Sequence, residues 1–388
     1  MPRPLIALTL GDVAGIGPEV VVRACADERV RRVCRPVVVG HPQVVERAVR
    51  LSGVDVNVAP VSGPEACEAL PTDEQSLPCW NPAGDEAAAV EPGRLDPRAG
   101  RAAYDCLIAA TRAALQGQVA AVATAPLNKA ALHLAGLHYP GHTEILAEAC
   151  GTAEFAMMLY LPPGEIERAY GPRPVGSAGA QPRGFDLSSL ISHLSSPPHG
   201  LGVAHVTLHT SIRSVPDLLT TTAVREKIGL VHDFMRKAGC ASPRIGVCAL
   251  NPHAGEGGLF GDEEQRLIAP AVAAARDDGL NATGPLPADT LLRRAVLGEF
   301  DGVVAMYHDQ GHIALKLLGT HRAVNVTLGL PIIRTSVAHG TAFEVAWQGR
   351  ADCRSLAEAA RVASVLARKG SGLGFPPSAD LRQSSGNG

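Results

Sequence analysis

Short apolar runs recur along this chain, each closed by a turn and followed by a stretch of helical period. That recurrence limits the fold more than any other feature. Residues 5–10 (LIALTL) end at Gly11, residues 37–39 at Gly40, and residues 119–124 (VAAVAT) run into Ala125-Pro126-Leu127-Asn128-Lys129. Residues 203–208 (VAHVTL), 245–250 (IGVCAL) and 302–306 (GVVAM) continue the series. Runs this short, apolar without alternation, read as strands buried on both faces. The period predicts helices over 41–51, 98–115, 130–135, 221–238, 263–278 and 355–368, and Pro18 follows GDVAGIG as a first-turn proline. Repeated strand–loop–helix units imply an α/β fold with a mostly parallel sheet, helices on its faces and ligands at the carboxyl ends of its strands. At 388 residues the chain exceeds one ordinary core, so two domains are expected.

Two stretches break the pattern. Residues 53–98 are rich in Pro, Gly and acid and read as strand fragments and loops. Residues 162–200 contain PPG, GPRPVGSAGAQPRG and SSPPHG, too little apolar surface to offset ordering, and are expected to be a mobile loop or inserted appendage. The final SSGNG is expected to be disordered. With a net charge of −3 and no block of Lys or Arg, nothing marks a nucleic-acid or membrane-surface role. Nine scattered cysteines without a C-x-x-C pair read as reduced thiols. Gly11 and Asp12 break the first apolar run too early for a signal peptide, and no stretch approaches the roughly 20 apolar residues of a spanning helix. A cytoplasmic protein is expected.

The chemistry concentrates where strands end. The runs VTL, CALNP and VAMY lead to His209, His253 and His308. Three converging imidazoles can hold one divalent metal, and Asp289 and Asp309 nearby widen the choice toward Mn or Mg. Equally, each can be a lone surface or core histidine, and the spacing does not decide. Lys316, Asn325 and Arg334 follow His308; a Lys and an Arg beside a metal suit a phosphate or carboxylate, unless the three are unrelated surface residues. The glycines of GDVAGIG do not make G-x-G-x-x-G, and no G-x-x-x-x-G-K-[ST] is present. That segment on its own reads as a tight strand-to-helix turn.

Seven longer motifs occur in order: GDVAGIGPE, TAPLNKAALHLAG, YPGHTE, LNPHAGEGGLFGDEE, GPLPADT, MYHDQGH and NVTLGLPIIRTSVAHGTA. Together they resemble the 4-hydroxythreonine-4-phosphate dehydrogenase (PdxA) family, with only the 162–200 segment and the tail outside the match. The resemblance implies a two-domain α/β/α fold like isocitrate and isopropylmalate dehydrogenases, without the Rossmann fingerprint. It places an NAD-binding domain at 1–130 plus 285–370, a metal, substrate and dimerisation domain at 131–284, and a tail at 371–388. It implies a homodimer with the metal at the subunit interface. Carried over residue by residue, it makes His209, His253 and His308 the ligands of one divalent metal (Zn, Mn, Co or Mg). It makes His142, Thr143, Lys316, Asn325 and Arg334 the substrate contacts. Lys316, Asp289 and Asp309 become the catalytic candidates, and His339, Gly340 and Thr341 contacts to NAD.

The implied reaction is NAD-linked oxidation of a small phosphorylated hydroxy acid followed by decarboxylation. Pyridoxine-pathway members usually read YHDQGLP, whereas this chain reads YHDQGHIALK, with AMMLY, GLFGDEE and FEVAW elsewhere. These resemble a branch acting on 4-phospho-D-threonate or 4-phospho-D-erythronate, giving dihydroxyacetone phosphate and CO2. 4-Phosphooxy-threonine is the second candidate. A third branch, acting on an aromatic dihydrodiol dicarboxylate, lacks the Asn and Arg found here at Asn325 and Arg334. A metal-bound sugar-acid binding protein without catalysis is the alternative from another class. Val13 in place of the usual Pro, and Thr210-Ser211-Ile212-Arg213 in place of L-P-L-R, depart from the family pattern.

Overall fold

The computed structural model describes residues 2–69, 75–164, 197–319 and 322–370. Among these, twelve strands form one sheet: β1 (Leu5–Thr9), β2 (Arg35–Val39), β3 (Asn57–Val61), β4 (Ser76–Trp80), β5 (Ala121–Thr124), β6 (Ala156–Leu161), β7 (Leu201–His205), β8 (Ile245–Cys248), β9 (Ala282–Leu286), β10 (Gly302–Ala305), β11 (Val324–Leu328) and β12 (Arg334–Ser336). Their order is β3-β4-β2-β1-β5-β12-β11-β6-β7-β10-β8-β9. Pairing is parallel from β3 to β12 and again from β7 to β9. Between these wings the pairs β12–β11, β11–β6 and β6–β7 are antiparallel. The result is a two-domain α/β fold whose two parallel wings are stitched by an antiparallel strip. A division at residue 285 places β10 with the first domain, whereas in the sheet β10 lies between β7 and β8.

The wings form for the reason the sequence indicates. Residues 6–9 of β1 and all of β5, β7, β8 and β10 are buried, because helices cover both faces of the sheet. Helix Pro97–Leu115 starts at Asp96, whose carboxylate accepts from the Arg98 N–H at 2.8 Å, and helix Thr221–Lys237 starts at Thr220, whose hydroxyl accepts from the Ala223 N–H at 3.0 Å. The GDVAGIG segment is a turn leading into helix Gly17–Ala26, with Pro18 in its first turn. Gly11 has φ +64°, and a Cβ there would collide with the Pro126 carbonyl oxygen, so this turn packs directly on the loop after β5.

Other elements differ from expectation. The helix predicted over 263–278 is split into a π-turn at Glu264–Ile268 and helix Ala269–Asp277. Its start is held by Glu264, whose buried carboxylate accepts from the N–H groups of Leu250 (2.8 Å) and Asn251 (2.7 Å). The strands β6, β9, β11 and β12 and the helices His142–Cys150, Ala288–Val296 and His308–Gly319 go beyond the sequence expectation. Nor do strands run up to the three histidines: β7, β8 and β10 end earlier, and His308 opens a helix. Residues 165–196 of the Pro/Gly/Ser-rich segment, and the tail from 371, lie outside the described residues. The nine cysteines are all unpaired thiols. No described helix is long and apolar enough to cross a membrane.

Candidate active site

The antiparallel strip forms the floor of a cavity of about 390 Å³. β6 lends it Met157 and Leu159, β11 lends Asn325, and β12 lends Arg334 and Ser336. Helix His142–Cys150 brings His142 and Thr143 at its first turn, and helix His308–Gly319 brings His308, His312 and Lys316. The i, i+4, i+8 spacing of those last three puts them on one helix face. His209, from the loop after β7, and His339 and Gly340, from the loop after β12, complete the wall. The cavity thus gathers nine of the positions singled out from sequence: His142, Thr143, His209, His308, Lys316, Asn325, Arg334, His339 and Gly340.

Arg334 sets the electrostatics. It is 2% exposed. Its Nη1 donates to the Thr327 hydroxyl at 3.0 Å and its Nη2 to the Thr124 hydroxyl at 2.7 Å. Its Nε is buried without a partner, as is Oδ1 of Asn325. Burial pulls the guanidinium down to about 9, and the Glu144 carboxylate offsets part of that through space. A buried cation whose hydrogen bonds go to neutral hydroxyls is costly unless an anion joins it. Burial, and then the charge of Arg334, holds the His142 imidazole well below the usual histidine range.

The histidines lie toward the rim. His209 and His308 face each other, ring centroids 5.7 Å apart. Partial desolvation first, then the charges of Lys129 and His308, lower the affinity of His209 for protons. His308 Nδ1 lies 2.7 Å from the Asp309 carboxylate, a contact that orients the ring and leaves Nε2 as the ligating nitrogen. Both rings and Asp309 also line an adjoining cavity of about 420 Å³.

Four positions stand apart from the main cavity. Asp309 touches it only through His308. Asp289 is exposed in the first turn of helix Ala288–Val296. Thr341 turns its carbonyl to the Ile16 N–H (3.0 Å), tying the loop after β12 to the GDVAGIG turn. His253 is exposed on a loop whose residues 253–257 all have positive φ, between 45° and 76°. Three of those five are not glycine, and such conformations persist only where the surroundings impose them. Glu264 braces the segment just before this loop, through its bonds to Leu250 and Asn251. Among the described residues, no group of three or more His, Cys, Asp or Glu is placed to hold a metal ion. One chain therefore pairs His209 with His308 and leaves His253 outside.

The sequence reading missed Lys129, Glu144 and Ser336 in the wall, and did not assign His312 to the site. Lys129 had a usable signal, since it follows the β5 strand end at a point where this fold class exposes ligand groups.

Comparison with known proteins shows the family. The family described as pyridoxal phosphate biosynthetic protein PdxA matches residues 32–363. A 4-hydroxythreonine-4-phosphate dehydrogenase of Geobacter metallireducens is 42% identical over 96% of this chain and 99% of its own. A D-threonate 4-phosphate dehydrogenase of Salmonella typhimurium is 40% identical over 95% of this chain and 100% of its own. The crystal structure of a 4-hydroxythreonine-4-phosphate dehydrogenase from Klebsiella pneumoniae, 40% identical, superposes with a TM-score of 0.76 over 94% of this chain and 100% of that one. The chain belongs to the PdxA family, whose dehydrogenases are oxidoreductases acting on CH–OH groups.

Proposed function

We propose that this enzyme oxidises the C3 hydroxyl of 4-phospho-D-threonate or 4-phospho-D-erythronate with NAD and releases CO2, leaving dihydroxyacetone phosphate. The observation that carries the reading is the buried Arg334, which needs an anion. Lys129 and Lys316 in the same wall make the cavity a place for a doubly charged phosphate. Relatives with either name match at similar identity, so 4-phosphooxy-threonine is the second substrate to test.

The residues divide the work. Arg334 and Asn325 bind the phosphate from the floor, where Thr124 and Thr327 fix the guanidinium fork. His142 and Thr143, at the first turn of their helix, orient the middle of the substrate. Lys316 would carry the proton of the reacting hydroxyl oxygen or bind the phosphate, with Asp309 holding His308 in the ligating orientation. His209 and His308 would hold the cation, since imidazole nitrogens suit a divalent metal. His253, on its outward loop, would complete the set in a homodimer. Exposed Ile212, Leu259, Phe260 and Ile313 near these elements support a second copy packing here. His339 and Gly340 line the same cavity, and open space surrounds Gly340, which suits NAD beside the substrate. When bound, the cation supplies Lewis-acid polarisation of the hydroxyl and NAD supplies the two-electron acceptor.

Formation of NADH with a panel of phosphorylated and unphosphorylated acids, metal added, tests the reading. Turnover of 4-phospho-D-threonate or 4-phospho-D-erythronate with CO2 release is expected. Preference for an unphosphorylated acid would overturn it.

A further inference from the structure

His205 and His312 take no part in the roles given above, yet the fold makes room for them. His205, at the end of β7, is 1% exposed and His312 is 7% exposed. His205 Nδ1 lies 3.4 Å from the Met157 carbonyl oxygen, and His205 Nε2 lies 3.1 Å from His312 Nδ1. A carbonyl oxygen only accepts, so His205 Nδ1 carries the hydrogen. In a neutral ring Nε2 is then a lone pair, and His312 Nδ1 must carry the hydrogen it accepts. The nitrogen that remains, Nε2 of His312, is an acceptor on a residue of the cavity wall. Both rings lie buried in the protein interior, which favours the uncharged form. The His312 ring also stacks on His308 at 3.8 Å and 13°, which fixes its plane. Gly311, inside the helix, is the space this pair needs: a Cβ there would lie 2.6 Å from His205 Nε2. A glycine inside a helix is destabilising relative to alanine.

We propose that His312 is a specificity residue, whose Nε2, held as an acceptor by His205 and the Met157 carbonyl, takes a hydrogen bond from the substrate hydroxyl next to the carboxylate. This rests on the phosphorylated hydroxy-acid reading and sharpens it. An ammonium group in that place would also be a donor, but it would share the cavity with Lys129, Lys316 and Arg334. The arrangement therefore selects a hydroxy acid over its amino counterpart.

Two measurements on the full-length enzyme test this. Nitrogen-15 NMR of the imidazoles, without substrate, should show His312 protonated at Nδ1 and bare at Nε2. In kinetics, His312→Leu should lower kcat/KM for 4-phospho-D-threonate about tenfold or more. It should change little for the analogue lacking the hydroxyl next to the carboxylate. His205→Leu, which removes only the support, should mix the two His312 tautomers and raise KM about threefold with a smaller change in kcat. A hydrogen on Nε2 of His312 in the wild type, or an equal loss on both substrates, would overturn the proposal. If His312→Leu does not fold, the wild-type tautomer decides. Failure of the wild type to turn over any of the acids defeats the functional reading itself, whereas turnover with the wrong tautomer defeats only this inference.

Discussion

The floor and the rim of the cavity are built on opposite terms. The floor is complete within one chain: Arg334 is buried, and hydroxyls from β5 and β11 fix its two terminal nitrogens. The rim is open: His209 is exposed, His308 is half-buried, and His253 points away on a loop of left-handed residues. Groups that must hold a fixed charge sit in the densest part of the sheet. On the reading proposed above, recognition of the anion belongs to the fold of one chain, whereas metal binding needs a second copy.

The sharpest test of that contrast is at the rim. His209→Ala and His308→Ala should each lower bound metal and reduce turnover by about a thousandfold, the scale of several kcal/mol of metal catalysis. Asp309→Asn, which only loosens the orientation of His308, should cost about 10- to 100-fold in metal affinity. Full metal content and normal rates in the histidine variants would remove the rim from the active site.

At the floor the loss is smaller and selective. Arg334→Ala should lower kcat/KM for the phosphorylated acid by about 10- to 150-fold, the worth of one charge-assisted contact. It should change little with the unphosphorylated acid, and Arg334→Lys should recover part of the loss because a point charge cannot replace a fork. Inorganic phosphate should raise the melting temperature of the wild type and not of Arg334→Ala. Equal losses on both acids would make Arg334 a structural cation instead.

If the rim is completed by a second copy, two dead enzymes should rescue each other. Mixed His209→Ala and His253→Ala chains, unfolded and reassembled together, place one intact site in each mixed dimer. Random pairing makes half the dimers mixed, each with one of two sites, so about a quarter of wild-type activity should return. No recovery would mean that each chain supplies its own ligands.

The same contrast explains what could be read from sequence. The wings were legible because strands buried on both faces are plain apolar runs, as in LIALTL and GVVAM. The floor was not, because β11 (VNVTL) and β12 (RTS) place Asn325, Thr327 and Arg334 inside the protein, where periodicity expects apolar residues. Likewise HDQGH opens a helix whose polar start and inner glycine give no helical period. The individual site residues came from motifs in register. The juxtaposition of His205 with His312, 107 positions apart, follows from strand order and no local pattern carries it.

The smallest expected effect is on stability against pH, because two buried groups oppose each other. Burial lowers the folded pKa of His205 from 6.5 to about 4, so between these values the unfolded chain binds the extra proton. That contribution to stability is present above about 6.5 and is lost as pH falls toward 4. Asp12, whose Oδ2 is buried without a partner, moves the other way: burial raises it from 3.8 to about 6. Below 3.8 it costs nothing, and its penalty grows as pH rises to 6. A pKa difference of one between the folded and unfolded chain corresponds to about 1.4 kcal/mol, so the two contributions cancel in large part between pH 4 and 6. His142 and His312, lowered by burial as well, act on the same side as His205, so the melting temperature of the wild type should still rise with pH over that range. Asp12→Asn removes the penalty, so it should steepen that climb between pH 4 and 6.5. A flat profile in Asp12→Asn would mean that His205 takes up a proton without cost in the folded enzyme, and that it is not the neutral, buried support of His312 described here.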